Sequence, residues 1–132
     1  MTKIMVVDDE PDILAMIEMI LNRKGYETVL AEGGEEALKL LGEMRPDLIL
    51  LDLMMPRMDG TEFLRRLRSD ENLKDIPVVV VSVRSTIEKE SREAMELADD
   101  YITKPIDIPT LYATIEEMLK KKNRNLDDFT HS

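Results

Sequence analysis

The stretch PDLILLDLMMPRMDG, Pro46 to Gly60, decides the fold. Leu48, Ile49, Leu50 and Leu51 form an apolar run with no polar alternation, the pattern of a short strand buried on both faces of a parallel sheet. The run ends on Asp52. Ligands of open α/β sheets sit in the crevice beyond the carboxyl ends of the strands, so an acid at that point is a functional candidate. Pro56, Asp59 and Gly60 then turn the chain toward a helix.

Upstream, KIMVV (Lys3 to Val7) reads as another buried strand and ends in Asp8, Asp9 and Glu10. Pro11 suits a first helical position, and Ile13, Leu14, Ile17, Ile20 and Leu21 recur at helical spacing as far as Gly25. Glu27 to Ala31 is a short second strand, and Gly33 and Gly34 make a turn. Ala37, Leu38, Leu41 and Met44 then mark a helix closed by Pro46.

Downstream, Asp59 and Glu62 have capping-box spacing for a third helix with Phe63, Leu64 and Leu67 inward. Pro77 leads into a strand from Val78 to Val81 that ends on Ser82. Ser85 and Glu88 repeat the capping-box spacing ahead of a fourth helix. Its apolar stripe, Ile87, Ala94, Met95 and Ala98, is modest, so this helix is expected to be the least firmly held. Tyr101 to Thr103 forms a fifth strand, followed by Lys104, Pro105 and a last helix through Pro109, Leu111, Tyr112, Ile115, Met118 and Leu119.

Strands alternating with helices through short connections predict an α/β domain: a flavodoxin-like, doubly wound (βα)5 fold with a five-stranded parallel sheet in the order 2-1-3-4-5. That order brings Asp8, Asp9, Asp52, Ser82 and Lys104 to one edge. The domain is expected to span 1–122, leaving 123–132 as a flexible tail, polar apart from Leu126 and Phe129.

A chain of 132 residues is one domain, and the absence of Cys removes disulfides, thiolate metal sites and thiol catalysis. A net charge of −10 argues against displacing counterions from a phosphate backbone, so no direct nucleic-acid contact is expected. No apolar run is long enough to span a bilayer and no signal peptide is visible, which predicts a cytoplasmic protein without a membrane partner. The ten Met residues, set among Leu and Ile, read as core filler, and Lys120, Lys121 and Lys122 as a complement to a helix dipole.

Carboxylates crowded at one edge repel, so either their pKa values rise or a cation sits among them. Oxygen donors with no His or Cys nearby favour Mg²⁺ or a similar hard divalent ion. With an ammonium from Lys104 and a hydroxyl from Ser82, the set suits a phosphoryl group, and a carboxylate can attack it to form an aspartyl phosphate. Taken singly these residues have ordinary explanations: Asp8 or Asp9 as a helix cap, Ser82 as a strand-end hydroxyl, Lys104 as a solvated cation, Tyr101 as edge packing.

VVDDEPDI after the first strand, DLMMPRMDG around the third, Ser82 closing the fourth and DDYITKP around the fifth stand in one order and spacing. Together they make the chain closely resemble receiver domains of two-component response regulators, of the chemotaxis Y-protein type, from Lys3 to Leu119. The resemblance implies a phosphoacceptor switch rather than an enzyme. Asp52 would accept the phosphoryl group, and Mg²⁺ would be held by Asp9, Asp52 and the backbone carbonyl of Met54, with Asp8 acting through a metal-bound water. Lys104 would pair with the phosphoryl group, Ser82 would move to it, and Tyr101 would change exposure with Ser82. The Lys104–Pro105 bond would be cis.

The implied partners are a histidine kinase or phosphotransfer protein, and an output protein on the face of helix four, strand five and helix five. A dimer through the last helix is also possible in the family, and the chain reads as a stand-alone regulator. Val83, Arg57, Leu97 and Ile106 depart from the commonest family residues, and Val83 lies beside the phosphoryl site. Three alternatives stand beside this reading: the receiver part of a longer regulator, a pseudo-receiver binding module, and a Mg²⁺-dependent aspartyl-phosphate phosphatase. The last would usually carry an Asp and a Thr where this chain has Met54 and Pro56.

Overall fold

A computed structural model describes residues 1–89 and 92–131, with side chains as far as Lys122. The elements run β1 (Lys3–Val7), α1 (Pro11–Arg23), β2 (Glu27–Ala31), α2 (Gly34–Leu41), β3 (Leu48–Leu51), α3 (Gly60–Ser69) and β4 (Val78–Val83), then α4 (Arg84–Lys89), α5 (Arg92–Leu97), β5 (Asp100–Lys104) and α6 (Ile108–His131). All strand pairs are parallel and the order is β2-β1-β3-β4-β5, as the sequence predicts. The tail expected at 123–132 falls outside the described side chains.

The missing polar alternation in β3 follows from helices covering both faces. Ile49 and Leu51 pack with Met5, Val7, Val78 and Val80 against α2, α3 and α5. Leu48 and Leu50 pack with Ile4, Val6, Val79 and Val81 against α1 and α6. In α1 the periodic residues Leu14, Ile17, Ile20 and Leu21 are buried, each contributing about 1.5–3 kcal/mol of transfer free energy. Gly25, with φ 81°, ends that helix as the sequence expects.

Four details differ from the sequence reading. Ser82 pairs with Thr103 and Val83 with Lys104, so β4 and β5 extend further and both site residues lie within strands. Helix α4 starts at Arg84, which places Ser85 inside it, and Glu88 pairs with Arg84 at 2.9 Å instead of closing a capping box. At α3 only half of the box forms: the Asp59 carboxylate accepts from the Glu62 N–H, while Glu62 itself binds Arg65 and Arg66. The methionines divide: Met5, Met55, Met58 and Met118 are buried, whereas Met16, Met19 and Met54 are exposed.

The helical region expected as helix four is described as two segments, and α5 is tied to α3. Arg65 makes a bidentate pair with Glu93 at 2.7 and 2.8 Å. The Arg68 guanidinium donates to the carbonyls of Leu97, Lys74 and Ile76 and to Asp99 at 2.7–2.9 Å. The same Asp99 oxygen accepts from the Val78 N–H at 2.7 Å. One planar fork thus joins the end of α3 to the starts of β4 and β5.

Arg57 has φ 69°, in the left-handed region where a Cβ is penalised. Arg57→Gly should therefore stabilise the domain by about 0.5–1 kcal/mol, the relieved strain being partly offset by the freer unfolded chain, and a raised urea midpoint with unchanged slope would show it. Arg68→Ala should cost about 2–3 kcal/mol, with Arg68→Lys recovering only part because one ammonium cannot span those acceptors; equilibrium urea unfolding measures both.

Candidate functional site

Strand register assembles the site. Val7 lies beside Ala31 and Leu51 in the sheet. The Asp52 N–H then donates to the Val7 carbonyl at 3.0 Å and the Asp8 N–H to that of Ala31 at 3.1 Å, so the two acids leave the sheet side by side. β4 and β5 add Ser82 and Lys104 on the other side of β3. Gly60 fixes the return of the chain: a Cβ there would stand 2.7 Å from the Leu53 Cα and 3.0 Å from the Asp52 carbonyl oxygen.

Asp8, Asp52 and Ser82 are buried, at 2%, 6% and 1% exposure. The Lys104 ammonium lies 2.9 Å from Asp8 Oδ2 and 3.3 Å from Asp52 Oδ2. Ser82 Oγ donates to Asp52 Oδ1 at 2.9 Å, and the Met54 N–H donates to the same oxygen at 3.2 Å. Burial works against the charge on Lys104, but the hydrogen bond to Asp8 and the charges of Asp52 and Asp8 outweigh it and raise its pKa. Asp8 Oδ1 accepts from the Glu10 N–H at 2.9 Å. The N-cap of α1 is Glu10, without a side-chain cap bond, so neither Asp8 nor Asp9 serves as its cap.

The carboxylates of Asp8, Asp9 and Glu10 each offer an oxygen within 4.8 Å of the others. Asp52 is not in that trio; it is joined to Asp8 through Lys104. Glu10 was passed over as a ligand in the sequence, although it is the third acid of the run after β1. With oxygen donors throughout, the residues fit a hard divalent cation. Tyr101 is 53% exposed on the edge strand β5, and Met54 and Val83 are exposed at 60% and 44%. The Lys104–Pro105 bond is cis. Among the described residues no helix is long and apolar enough to cross a membrane.

The family model for the response regulator receiver domain matches residues 4–116. The regulator RpaA of Synechocystis is 35% identical over 132 residues, covering 100% of this chain and 55% of that protein. The phosphate regulon regulator PhoB of Escherichia coli is 39% identical over 119 residues, covering 90% and 52%. The chain thus spans about half the length of these curated relatives. RpaA is described as DNA-binding, so the expectation of no nucleic-acid contact draws no support from the relatives.

Among solved structures, the chemotaxis protein CheY4 of Vibrio cholerae superposes with a TM-score of 0.82 at 32% identity, over 89% of this chain and 98% of that one. TrrA of Thermotoga maritima, solved in complex with Mg²⁺ and BeF, gives 0.80 at 31%, over 89% and 99%. With the acidic edge, the half-buried lysine and the strand order already in place, these matches show that the chain belongs to the response regulator receiver domains of two-component systems.

Proposed function

We propose that Asp52 is the phosphoacceptor of this receiver, taking a phosphoryl group from a phosphohistidine on a histidine kinase or phosphotransfer protein. The observation that carries this is the Asp52 carboxylate itself, held between the Lys104 ammonium and the Ser82 hydroxyl. One Asp52 oxygen forms a bond to phosphorus as the bond from phosphorus to the imidazole nitrogen breaks. Lys104, already within reach of that carboxylate, balances the charge that the phosphoryl oxygens bring in. Ser82 donates its hydroxyl hydrogen to a phosphoryl oxygen instead of to Asp52.

Asp8, Asp9, Asp52 and the Met54 carbonyl would hold Mg²⁺, with Glu10 close enough to tune that set. When bound, the ion supplies positive charge for the reacting phosphoryl oxygens. Asp52 lies in one crevice with the acids that would hold it, so the nucleophile and its countercharge are organised before a donor arrives.

The response would pass from Ser82 into the segment that follows it. Tyr101, exposed on the neighbouring strand, would change its exposure as Ser82 moves, and the output face would comprise α4, α5, β5 and α6. A phosphatase turning over free phosphate esters has less support, because Met54 and Pro56 stand where its acid and hydroxyl would be.

Incubation with a small acyl phosphate and Mg²⁺ should add one phosphate, visible by intact mass. Asp52→Asn should abolish it, and full labelling of that variant overturns the assignment. Lys104→Met leaves Asp8 and Asp52 buried without their cation and should destabilise the metal-free domain by about 3 kcal/mol. Millimolar Mg²⁺ should restore part of that loss, read as a larger rise in Tm for the variant than for the wild type.

A further inference from the structure

The loop between Asp52 and Gly60 is anchored by buried side chains: Leu53, Met55 and Met58 are 1%, 8% and 8% exposed and belong to the core beneath α2 and α3. Met58 is seated against the first residue of α2. A Cβ on Gly34 would stand 2.9 Å from the Met58 sulfur, 3.2 Å from its Cγ and 3.4 Å from its Cβ. Gly34 is not required for backbone freedom, since Gly25 is the glycine with positive φ. Its missing side chain is what the methionine uses.

The neighbouring glycine makes the contrast. Gly33 is extended, with φ −177° and ψ 173°, and a Cβ there would meet nothing within 4 Å. Gly33 and Gly34 both line, with Met58 and Asp9, a recess of about 500 Å³ beside the acidic edge. Steric contact with the loop belongs to Gly34 alone of the two.

We infer that Gly34 is a positioning residue of the phosphoacceptor site, acting through Met58 on the loop that carries Met54; this rests on the reading of Asp52 and Met54 given above. Met54 gives its N–H to Asp52 and is expected to give its carbonyl to the ion, so a loop lifted at Met58 misplaces both. Helix propensity alone makes the opposite forecast. Alanine is the better helix former, so a purely local role at this first helical residue would leave Gly34→Ala at least as stable and unchanged in ion binding.

Mg²⁺ binding, followed by calorimetry and by amide NMR shifts, and thermal unfolding test this on the full chain. Gly33→Ala should match the wild type in Mg²⁺ affinity, with only the small loss of stability that alanine brings at the N-cap of α2. Gly34→Ala should remain folded, because the clash is confined to Met58, and should bind Mg²⁺ about tenfold more weakly, because Met58 is packed in the core with its Cγ and Cβ also close to the added methyl and relieves the contact by shifting the loop. Met58→Ala should show a similar loss, and adding Gly34→Ala to it should cost nothing further, because the colliding sulfur is gone. Unchanged Mg²⁺ affinity in Gly34→Ala, or losses that multiply in the double variant, overturns the inference while Mg²⁺-dependent labelling of the wild type leaves the Asp52 assignment standing. A wild type that neither binds Mg²⁺ nor becomes labelled overturns both.

Discussion

The structure turns on one ammonium. Lys104 reaches across from β5 to two buried carboxylates, Asp8 at 2.9 Å and Asp52 at 3.3 Å. Two carboxylates buried together would each be costly without a countercharge. The lysine supplies that charge to both, and Ser82 and the Met54 N–H complete the shell around Asp52. Crowding the acids demands a cation somewhere, and in this arrangement the protein supplies one of its own.

That contact exists because of the sheet. Asp8 and Lys104 are 96 residues apart in sequence, Asp52 and Lys104 52 apart, and parallel winding returns each strand end to the same edge. Much of this was legible in the residues. Strands buried on both faces leave uninterrupted apolar runs, as Leu48 to Leu51 and Val78 to Val81 do, and their ends were marked by charge and hydroxyl groups. Asp8, Asp9, Asp52, Ser82 and Lys104 could therefore be placed at one edge from order alone, although only coordinates show which acid Lys104 approaches more closely.

Other features lacked a sequence signal for physical reasons. Capping-box spacing at Ser85 and Glu88 is local, and it lost to an earlier helix start with Arg84 and Glu88 paired. The Arg68 fork depends on three carbonyl groups, and carbonyls carry no sequence identity. The same holds for Gly34, whose composition suggested a turn: its value lies in the space it leaves for a methionine 24 positions away. Glu10 could have been found by treating the acidic run after β1 as one group, since neighbouring residues leaving a strand together can direct oxygens to a common point.

The ties around α5 also bear on how a signal could leave the site. Val83 ends β4 and Arg84 begins α4 with no intervening residue, so α4 is the first element to feel a displacement of Ser82. Helix α5 lies on the other side of the balance. Its Glu93 is held bidentately by Arg65, its Leu97 carbonyl by Arg68, and Ala94 is fully buried against α3. Moving α5 would mean breaking charge-assisted bonds and opening packed core together, whereas the Arg84–Glu88 pair can travel with α4 because both partners belong to it. A weak apolar stripe had suggested that the whole helical region was loosely held. Its polar contacts are unevenly placed: those of Arg92 to Leu97 run to α3, whereas the pair in Arg84 to Lys89 lies within α4.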